Sequence, residues 1–223
     1  MPPLLSHVHV WIFDLDNTLY PASANLFDLV DARMTAYIAD RLAVGPAEAR
    51  AIQKGYFKSH GTTLSGLMAT HAVDPHEFLA FVHDIALDRI DADARLVEQI
   101  AALPGRKLVF TNGDRDYAQR ILDRLGLGES FEAVHDIHAM GLVPKPDLSA
   151  YQGLCAAHDI DPARALFADD MARNLLPAKQ LGMATLWLDN GSEQADGAPC
   201  PSFVDHRTND LGRWLDEILE GVA

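Results

Sequence analysis

Short apolar runs recur along the chain and predict the strands of a buried sheet. Runs of this length, separated by more polar segments, are typical of β-strands. The predicted strands are His7–Phe13, Arg106–Phe110, Phe131–Ile137, Arg164–Ala168 and Met183–Leu188, with Phe203 and Val204 as a sixth, edge strand.

Helical patterns fill most of the gaps between these strands. They cover Tyr117–Leu125, Asp147–His158 and Leu175–Leu181, and a last helix is expected at Leu211–Leu219. Because strand and helix alternate, the sequence predicts an α/β fold, with a Rossmann-like parallel sheet covered by helices on both faces.

The alternation is interrupted between residues 20 and 91, where only helical patterns occur. Asp74, Pro75 and Glu77 predict a helix start, with an N-cap, a proline at the first helical position and a capping-box acid. Two apolar faces have helical spacing: Leu26, Val30, Met34, Tyr37 and Ile38 form one, and Phe78, Phe81 and Ile85 form the other. Since ligands bind at the C-terminal edge of an open parallel sheet, we expect a small helical cap over that edge. The predicted division is an α/β core of residues 1–19 plus 92–223 and a cap of residues 20–91.

Composition and charge exclude several kinds of partner. Of the 223 residues, 48% are hydrophobic, which suits one domain carrying a smaller insertion. The formal net charge of -14 argues against a nucleic-acid polymer or an anionic membrane as partner. An anionic substrate would therefore need a locally positive site.

The N-terminal segment and the cysteines favour a cytoplasmic location. Residues 1–7 lack the basic region and the long apolar stretch of a signal peptide, and no apolar run approaches the roughly 20 residues that span a bilayer. Cys155 and Cys200 have neither metal-ligand spacing nor the pattern of a disulfide framework. The sequence leaves monomer and homodimer open.

Two acidic pairs follow predicted strands. Asp14 and Asp16 come directly after the first strand, and residues two apart in an extended segment point to the same side. Asp169 and Asp170 follow the fourth strand. Because these strand ends meet at one sheet edge, the four carboxylates are expected to converge. Hard oxygen ligands without a cysteine or histidine cluster predict a magnesium site.

Polar residues at two further positions complete this group. Thr111, Asn112 and Gly113 follow the second strand, where a hydroxyl and backbone N–H groups can hold phosphate oxygens. Lys145 lies between Pro144 and Pro146, which stiffen its loop and would hold the ammonium group in one place.

These residues, taken in chain order, resemble the four motifs of the haloacid dehalogenase superfamily, and the resemblance covers nearly the whole chain. The helical insertion after the first motif resembles that family's C1-type cap. The matching residues are Asp14, Asp16 and Thr18 for the first motif, DxDx[TV], Thr111 for the second, Lys145 for the third, and Asp169 and Asp170 for the fourth.

The resemblance implies a magnesium-dependent phosphatase of small phosphate monoesters. Asp14 would be the nucleophile, and Asp16 would protonate the leaving oxygen and then activate water. Phosphate binding is implied for Leu15, Asp16, Thr111, Asn112 and Lys145, and magnesium binding for Asp14, Asp16 (through its backbone carbonyl), Asp169 and Asp170. Whether Asp169 reaches the metal directly or through water stays open. Asn174 is expected either to orient the acid pair or to N-cap a helix.

Two stretches resemble the pyrimidine 5′-nucleotidase branch of the superfamily, namely Phe13–Pro21 and Tyr56–Leu67. The second stretch implies that the cap contacts the leaving group, so nucleoside 5′-monophosphates, pyrimidine above purine, are the expected substrates. The implied contact residues are Tyr56, His60, Thr62 and Thr63. The alternative interpretation is a helix–loop–helix connection with a threonine N-cap.

Several other activities stay open at this point. Dehalogenases of the superfamily lack the second aspartate of the first motif, so Asp16 favours phosphoryl chemistry. A phosphonatase would need a cap lysine in an apolar setting, and neither Lys54 nor Lys58 has that signal. The alternatives kept are a phosphatase of sugar phosphates or phosphoglycolate and a phosphoglucomutase-like phosphotransferase. A receiver domain would need neither the cap nor Asp16. A non-catalytic phosphate-binding module is the other alternative, and steady turnover of any monoester would exclude it.

Overall fold

A six-stranded sheet forms the centre of the protein in a computed structural model that describes residues 5–191 and 200–221. The strands are β1 (Val10–Phe13), β2 (Arg106–Phe110), β3 (Ala133–His135), β4 (Ala165–Asp169), β5 (Ala184–Leu188) and β6 (His206–Thr208). Their order is β3-β2-β1-β4-β5-β6, and all these pairings are parallel. The predicted α/β class and parallel sheet are confirmed.

The central strand β1 sets the position of the first acidic pair. All four of its residues are buried, as expected for a strand covered on both faces. Phe13 pairs in register with Val109 of β2 and Ala168 of β4, so the three strands end within one residue of the same level. The residues that follow them therefore meet at one edge of the sheet.

Between β1 and β2 the chain forms α1 (Phe27–Leu42), α2 (Pro46–His60), α3 (Thr63–His71), α4 (Pro75–His83) and α5 (Ala94–Ala102). The helices α1–α4 pack against one another over the sheet edge, and we call these four helices the cap. The helix α5 instead packs against the C-terminal helix. The predicted helical cap after the first strand is confirmed.

The remaining helices are α6 (Arg115–Leu125), α7 (Leu148–His158), α8 (Ala172–Leu181) and α9 (Leu211–Leu219). Side-chain N-caps start most of them, as when the Asp114 carboxylate accepts a hydrogen bond from the Tyr117 N–H at 2.9 Å. The Asp74 side chain caps α4 in the same way, as its sequence predicts. Within residues 5–191 and 200–221, none of the helices is both long and apolar enough to cross a membrane.

The structure corrects three details of the predicted elements. The sixth strand is β6, because the chain turns where Val204 donates to the Pro201 carbonyl, and Phe203 and Val204 precede the strand. The helix α4 ends at His83, so Ile85 lies outside it. Phe81 is 38% exposed and is covered on one side by the Arg33 guanidinium instead of belonging to the buried face. Residues 1–4, part of the segment used to predict location, lie outside the described residues.

Candidate active site

A cavity of about 310 Å³ lies between the sheet edge and the cap. The sheet edge contributes acidic residues that follow β1 and β4, and the cap contributes both apolar and polar side chains. Pockets of this size are at the lower end of those that hold small-molecule ligands. The lining residues from the sheet edge include Asp14, Asp16, Thr111, Asn112, Lys145 and Asp170.

Lys145 lies at the centre of the sheet edge and is only 1% exposed. Its ammonium group donates to Asp14 Oδ1 at 2.7 Å, to Asp169 Oδ2 at 2.8 Å and to the Phe110 carbonyl at 2.8 Å. An ammonium group has three donors, so all of them are used. Burial alone would lower the pKa of Lys145, but the charges of Asp14 and Asp169 outweigh it and raise this pKa above its usual value. The lysine is a fixed, permanent cation.

Asp14 is held on both carboxylate oxygens. Lys145 contacts Oδ1, and the Thr18 hydroxyl donates to Oδ2 at 3.1 Å. Burial raises the pKa of Asp14 to about 7, and the neighbouring Asp169 and Asp16 charges add to this while Lys145 opposes it. Because one lysine does not fully offset these acids, another cation nearby would favour the carboxylate form of Asp14.

The second acidic pair is fixed by its surroundings. Asp169 is fully buried, and both its oxygens accept hydrogen bonds at 3.0 Å from the Asn174 amide, which lies inside α8 and does not cap it. The Asp170 carbonyl accepts from the Trp187 indole at 3.0 Å. Asp14, Asp169 and Asp170 each offer an oxygen within 4.8 Å of the others. This all-oxygen donor set fits a hard divalent cation such as magnesium.

Asp16 is held by two tyrosines that the sequence did not single out. Its Oδ1 accepts from the Tyr20 hydroxyl at 2.6 Å and from the Tyr117 hydroxyl at 2.8 Å. Burial raises the pKa of Asp16, and these two hydrogen bonds oppose that shift. Burial and the Asp16 charge raise the pKa of both tyrosines well above the usual range, so both hydroxyls keep their protons.

The second motif shapes the loop beside Lys145. The Asn112 amide donates to the Lys145 carbonyl at 3.2 Å, and its oxygen accepts from the Lys145 N–H at 2.9 Å. The Thr111 hydroxyl accepts from the Gly113 N–H at 3.0 Å. The Asn112 side chain is therefore engaged in placing the lysine. The Leu15 side chain is fully buried, which leaves only the backbone of Leu15 to face a phosphate.

The four cap residues predicted to contact the leaving group divide into two pairs. Thr62 and Thr63 line the cavity, and Thr62 also N-caps α3 by accepting from the Ser65 N–H at 3.1 Å. Tyr56 and His60 are not among the lining residues. The Tyr56 hydroxyl lies 2.7 Å from His71 Nε2, and its ring packs against the bare backbone of Gly66. His60 is exposed and bonds to its neighbour Ser59.

The cap wall of the cavity combines aromatic and aliphatic side chains with polar ones. Its apolar members include Phe27, Met34, Phe57, Phe78, Leu79 and Val82, and its polar members include Asp31, Gln53, Lys54, Thr62 and Thr63. Arg173 of α8 joins this wall to the sheet edge, because its guanidinium lies 4.4 Å from the Phe57 ring centre and donates to the Gly61 carbonyl at 3.1 Å. The sequence signal that could have identified Arg173 is its position shortly after the acidic pair Asp169 and Asp170. No local sequence pattern identifies Phe57 as a residue of the cavity wall.

Comparison with known proteins is consistent with this geometry. A family model described as a haloacid dehalogenase-like hydrolase matches residues 8–182. The validoxylamine A 7′-phosphate phosphatase of Streptomyces hygroscopicus subsp. limoneus is 28% identical over 185 residues, covering 78% of this chain and 82% of that protein. The phosphate metabolism protein 8 of Saccharomyces cerevisiae is 25% identical over 190 residues, covering 78% of this chain. The match spans 59% of the length of the yeast protein.

Two solved structures show the same fold at low sequence identity. The haloacid dehalogenase-type phosphatase of Thermococcus onnurineus has a TM-score of 0.66 at 16% identity, covering 96% of this chain and 99% of that one. The L-2-haloacid dehalogenase of Xanthobacter autotrophicus has a TM-score of 0.60 at 20% identity, covering 97% of this chain and all of that one. The fold is thus shared by proteins named for two different reactions.

Proposed function

The chain belongs to the haloacid dehalogenase-like hydrolases, and from this membership we propose that it is a magnesium-dependent phosphomonoesterase acting through a phosphorylated Asp14. The observation that carries the proposal is the group of Asp14, Asp169 and Asp170, of which Asp14 and Asp169 both bind one buried lysine, Lys145. Three carboxylates and one ammonium group leave an excess of negative charge. A phosphate dianion would enter such a site only if a divalent cation offset that charge.

The donor set supports magnesium as that cation. Asp14, the Asp16 backbone carbonyl and Asp170 would hold the ion directly. The Asp169 oxygens already accept from Lys145, Asn174 and the Met171 N–H, which supports a contribution from Asp169 through water. When bound, magnesium would stabilise the negative charge of the transferring phosphoryl oxygens.

The residues of the chain divide the chemistry among them. An Asp14 oxygen attacks phosphorus and the bond to the leaving oxygen breaks, while Asp16 gives that oxygen a proton. Water then attacks the phosphorylated Asp14, gives its proton back to Asp16, and releases phosphate. Lys145 would stabilise the charge that develops in both steps. Asp16 is the residue that supports phosphoryl transfer over dehalogenation, because a leaving halide needs no proton.

For the substrate we propose a nucleoside 5′-monophosphate, pyrimidine above purine. An aromatic wall that includes Phe57 and Phe27 supports a leaving group with a flat, apolar face, and Thr62 and Thr63 supply hydroxyls beside it. The name of the Streptomyces relative supports small phosphate esters more broadly. A phosphatase of sugar phosphates or phosphoglycolate is the alternative.

The catalytic part of the proposal is tested by hydrolysis of p-nitrophenyl phosphate. Activity should require magnesium, disappear with a chelator, and fall by roughly a thousandfold or more in Asp14→Asn, which removes the nucleophile with little change in shape. The exposed Asp88 gives a matched control, since Asp88→Asn should leave activity unchanged. Full activity of Asp14→Asn would overturn the nucleophile assignment.

The substrate part is tested separately by comparing kcat/KM values. UMP, CMP, dUMP, AMP and GMP should outrank a panel of sugar phosphates that includes glucose 6-phosphate. One polar contact that recognises a base edge discriminates by roughly 1–3 kcal/mol. If sugar phosphates are preferred by tenfold, the phosphatase proposal stands and the nucleotidase proposal is wrong.

A further inference from the structure

Both tyrosine hydroxyls at Asp16 donate to the same carboxylate oxygen. Tyr20 lies four residues after Asp16 and donates to Oδ1 at 2.6 Å. Tyr117 lies on α6, 101 residues after Asp16 in the chain, and donates to the same Oδ1 at 2.8 Å. A carboxylate oxygen has two lone-pair positions, so these two donors fill those of Oδ1. Among the residues in 5–191 and 200–221, no donor contacts Oδ2.

This asymmetry decides which oxygen is available for proton transfer. Asp16 is half-buried and lines the cavity, so the oxygen without a protein donor is the one that can meet a substrate. We propose that Tyr20 and Tyr117 are positioning residues that engage Oδ1 and assign the transferable proton of Asp16 to Oδ2. This inference rests on the proposed phosphatase function and adds the two residues that orient its acid.

The two steps of the reaction use this orientation in opposite directions. In the first, the Asp14 oxygen bonds to phosphorus, the bond to the leaving oxygen breaks, and that oxygen takes the proton from Oδ2. In the second, a water oxygen bonds to phosphorus, the Asp14 ester bond breaks, and the proton of the water returns to Oδ2. The tyrosines exchange no proton with the substrate in either step, so neither is itself a catalytic acid.

The cap is in direct contact with this arrangement through His83, at the end of α4. The His83 ring stacks on the Tyr117 ring with 4.1 Å between ring centres and an angle of 7°. His83 Nδ1 lies 2.5 Å from Asp114 Oδ2, and Arg120 donates to the His83 carbonyl at 3.0 Å. The tyrosine that holds the acid is therefore itself held by a cap residue, which links the cap position to the acid orientation.

Comparing substrates with different leaving groups distinguishes a loss of Asp16 orientation from a general loss of activity. Phenyl phosphate and p-nitrophenyl phosphate have similar shapes, but phenolate needs a proton to leave far more than nitrophenolate does. Because kcat/KM reports steps up to phosphorylation of Asp14, Tyr117→Phe and Tyr20→Phe should each lower it roughly tenfold for phenyl phosphate. For p-nitrophenyl phosphate the loss should be less than about threefold. Phosphorylated Asp14 should also accumulate during turnover, because the second step needs the same oxygen as a base.

Tyr37→Phe is the matched control, since it also removes one hydroxyl from a buried ring but lies in the cap, where it bonds Glu77 at 3.2 Å. It should leave the ratio between the two aryl phosphates unchanged. Equal losses on both substrates in Tyr20→Phe and Tyr117→Phe, with no accumulated phosphoenzyme, would overturn the positioning role. A wild-type protein without magnesium-dependent activity on either substrate would instead reject the proposed function.

The contact between His83 of the cap and Tyr117 is tested by a separate pair of variants. His83→Phe keeps a ring on Tyr117 and His83→Ala removes it, so the phenyl phosphate loss should be several times larger in His83→Ala. If both variants have the same ratio of the two kcat/KM values as the wild type, Tyr117 is held without the cap and this part of the inference is wrong.

Discussion

Lys145 donates all three of its ammonium hydrogens to protein groups, and Asp169 accepts from Lys145, Asn174 and the Met171 N–H. The cap faces the same cavity with the rings of Phe27, Phe57 and Phe78. The sheet edge is thus a network in which each polar group fixes another. The cap wall has a packed apolar part, and polar lining groups such as Gln53 bond to other cap residues, here Asp31 and Thr35. Directional bonds fix positions closely, while apolar contacts tolerate exchange of one side chain for another.

This difference indicates which property each region controls. A phosphoryl group has the same shape and charge in every substrate, so a network with one geometry suits it. Leaving groups differ among substrates, and a packed wall can be altered for each without disturbing the acids. Substitutions at the sheet edge should therefore change the rate for all substrates, and those in the cap should change relative rates.

Lys145→Met should have the largest effect, because it removes a buried cation from between Asp14 and Asp169. We expect a loss of about 100- to 1000-fold in kcat on every phosphate ester. Unfolding without metal should become easier by roughly 3–5 kcal/mol, since two buried carboxylates lose their partner. Magnesium should then raise the melting temperature more in this variant than in the wild type, because the ion would offset the uncompensated charge.

Lys179→Met is the control for charge loss, because Lys179 pairs with Asp205 at the surface. Such a pair contributes about 0–1 kcal/mol. Melting curves with and without magnesium, together with rates on three unrelated esters, compare the two variants. If Lys145→Met lost activity on only one ester, this would contradict the expectation that the sheet edge controls the rate for all substrates.

Asn174→Ala should have an intermediate effect. The Asn174 amide contacts both oxygens of Asp169, and its removal leaves the proposed catalytic residues Asp14 and Asp16 unchanged. Loss of a group that orients a metal ligand typically lowers metal affinity or activity by about 10- to 100-fold. We expect the magnesium concentration for half-maximal activity to rise, and saturating magnesium to restore part of the rate. An unchanged magnesium requirement would argue against an orienting role.

Thr62→Ala and His60→Ala test the cap at two neighbouring positions, of which only Thr62 lines the cavity. Thr62→Ala should raise KM for UMP several-fold with little change for p-nitrophenyl phosphate, and the lost N-cap should destabilise the protein by about 1 kcal/mol. His60→Ala should leave both KM values unchanged. A larger effect at His60 would show that the cap reaches substrate in a way the described cavity does not include.

Asp114→Ala is followed through the pH dependence of folding stability, an effect that we expect to be smaller than the changes in rate described above. Burial by itself would raise the pKa of Asp114, but the hydrogen bond and charge of His83 outweigh it and lower this pKa below its usual 3.8. A lowered pKa stabilises the folded state above the usual value, and this contribution is lost as the pH falls through the folded-state pKa. The difference in stability between wild type and variant should therefore be full at pH 6 and shrink below pH 4, which chemical denaturation at several pH values would measure. A difference independent of pH would contradict the ion-pair origin.

The sequence predicted the sheet edge far better than the cap wall. The order of the motifs and the ends of β1, β2 and β4 are local signals, so Asp14, Thr111 and Asp169 are found together where their strands end. The contacts of Tyr117 and Phe57 depend on how separate elements pack, and no spacing along the chain records them. Tyr56 is an instructive case, because an aromatic residue in a polar stretch suggested a ligand contact, yet its ring packs against Gly66.

The order of strands also has a consequence for how the chain is made. The central strand β1 is synthesised first, but Val10 pairs with Arg106 of β2 and Ala165 of β4, both of which leave the ribosome much later. During that interval the apolar segment Val10–Phe13 has no sheet neighbours, while the cap helices, whose contacts are more local, can already form. We therefore expect the apolar segment Val10–Phe13 to stay exposed until β2 and β4 have been made, and exposed apolar segments of this kind are what chaperones bind during translation.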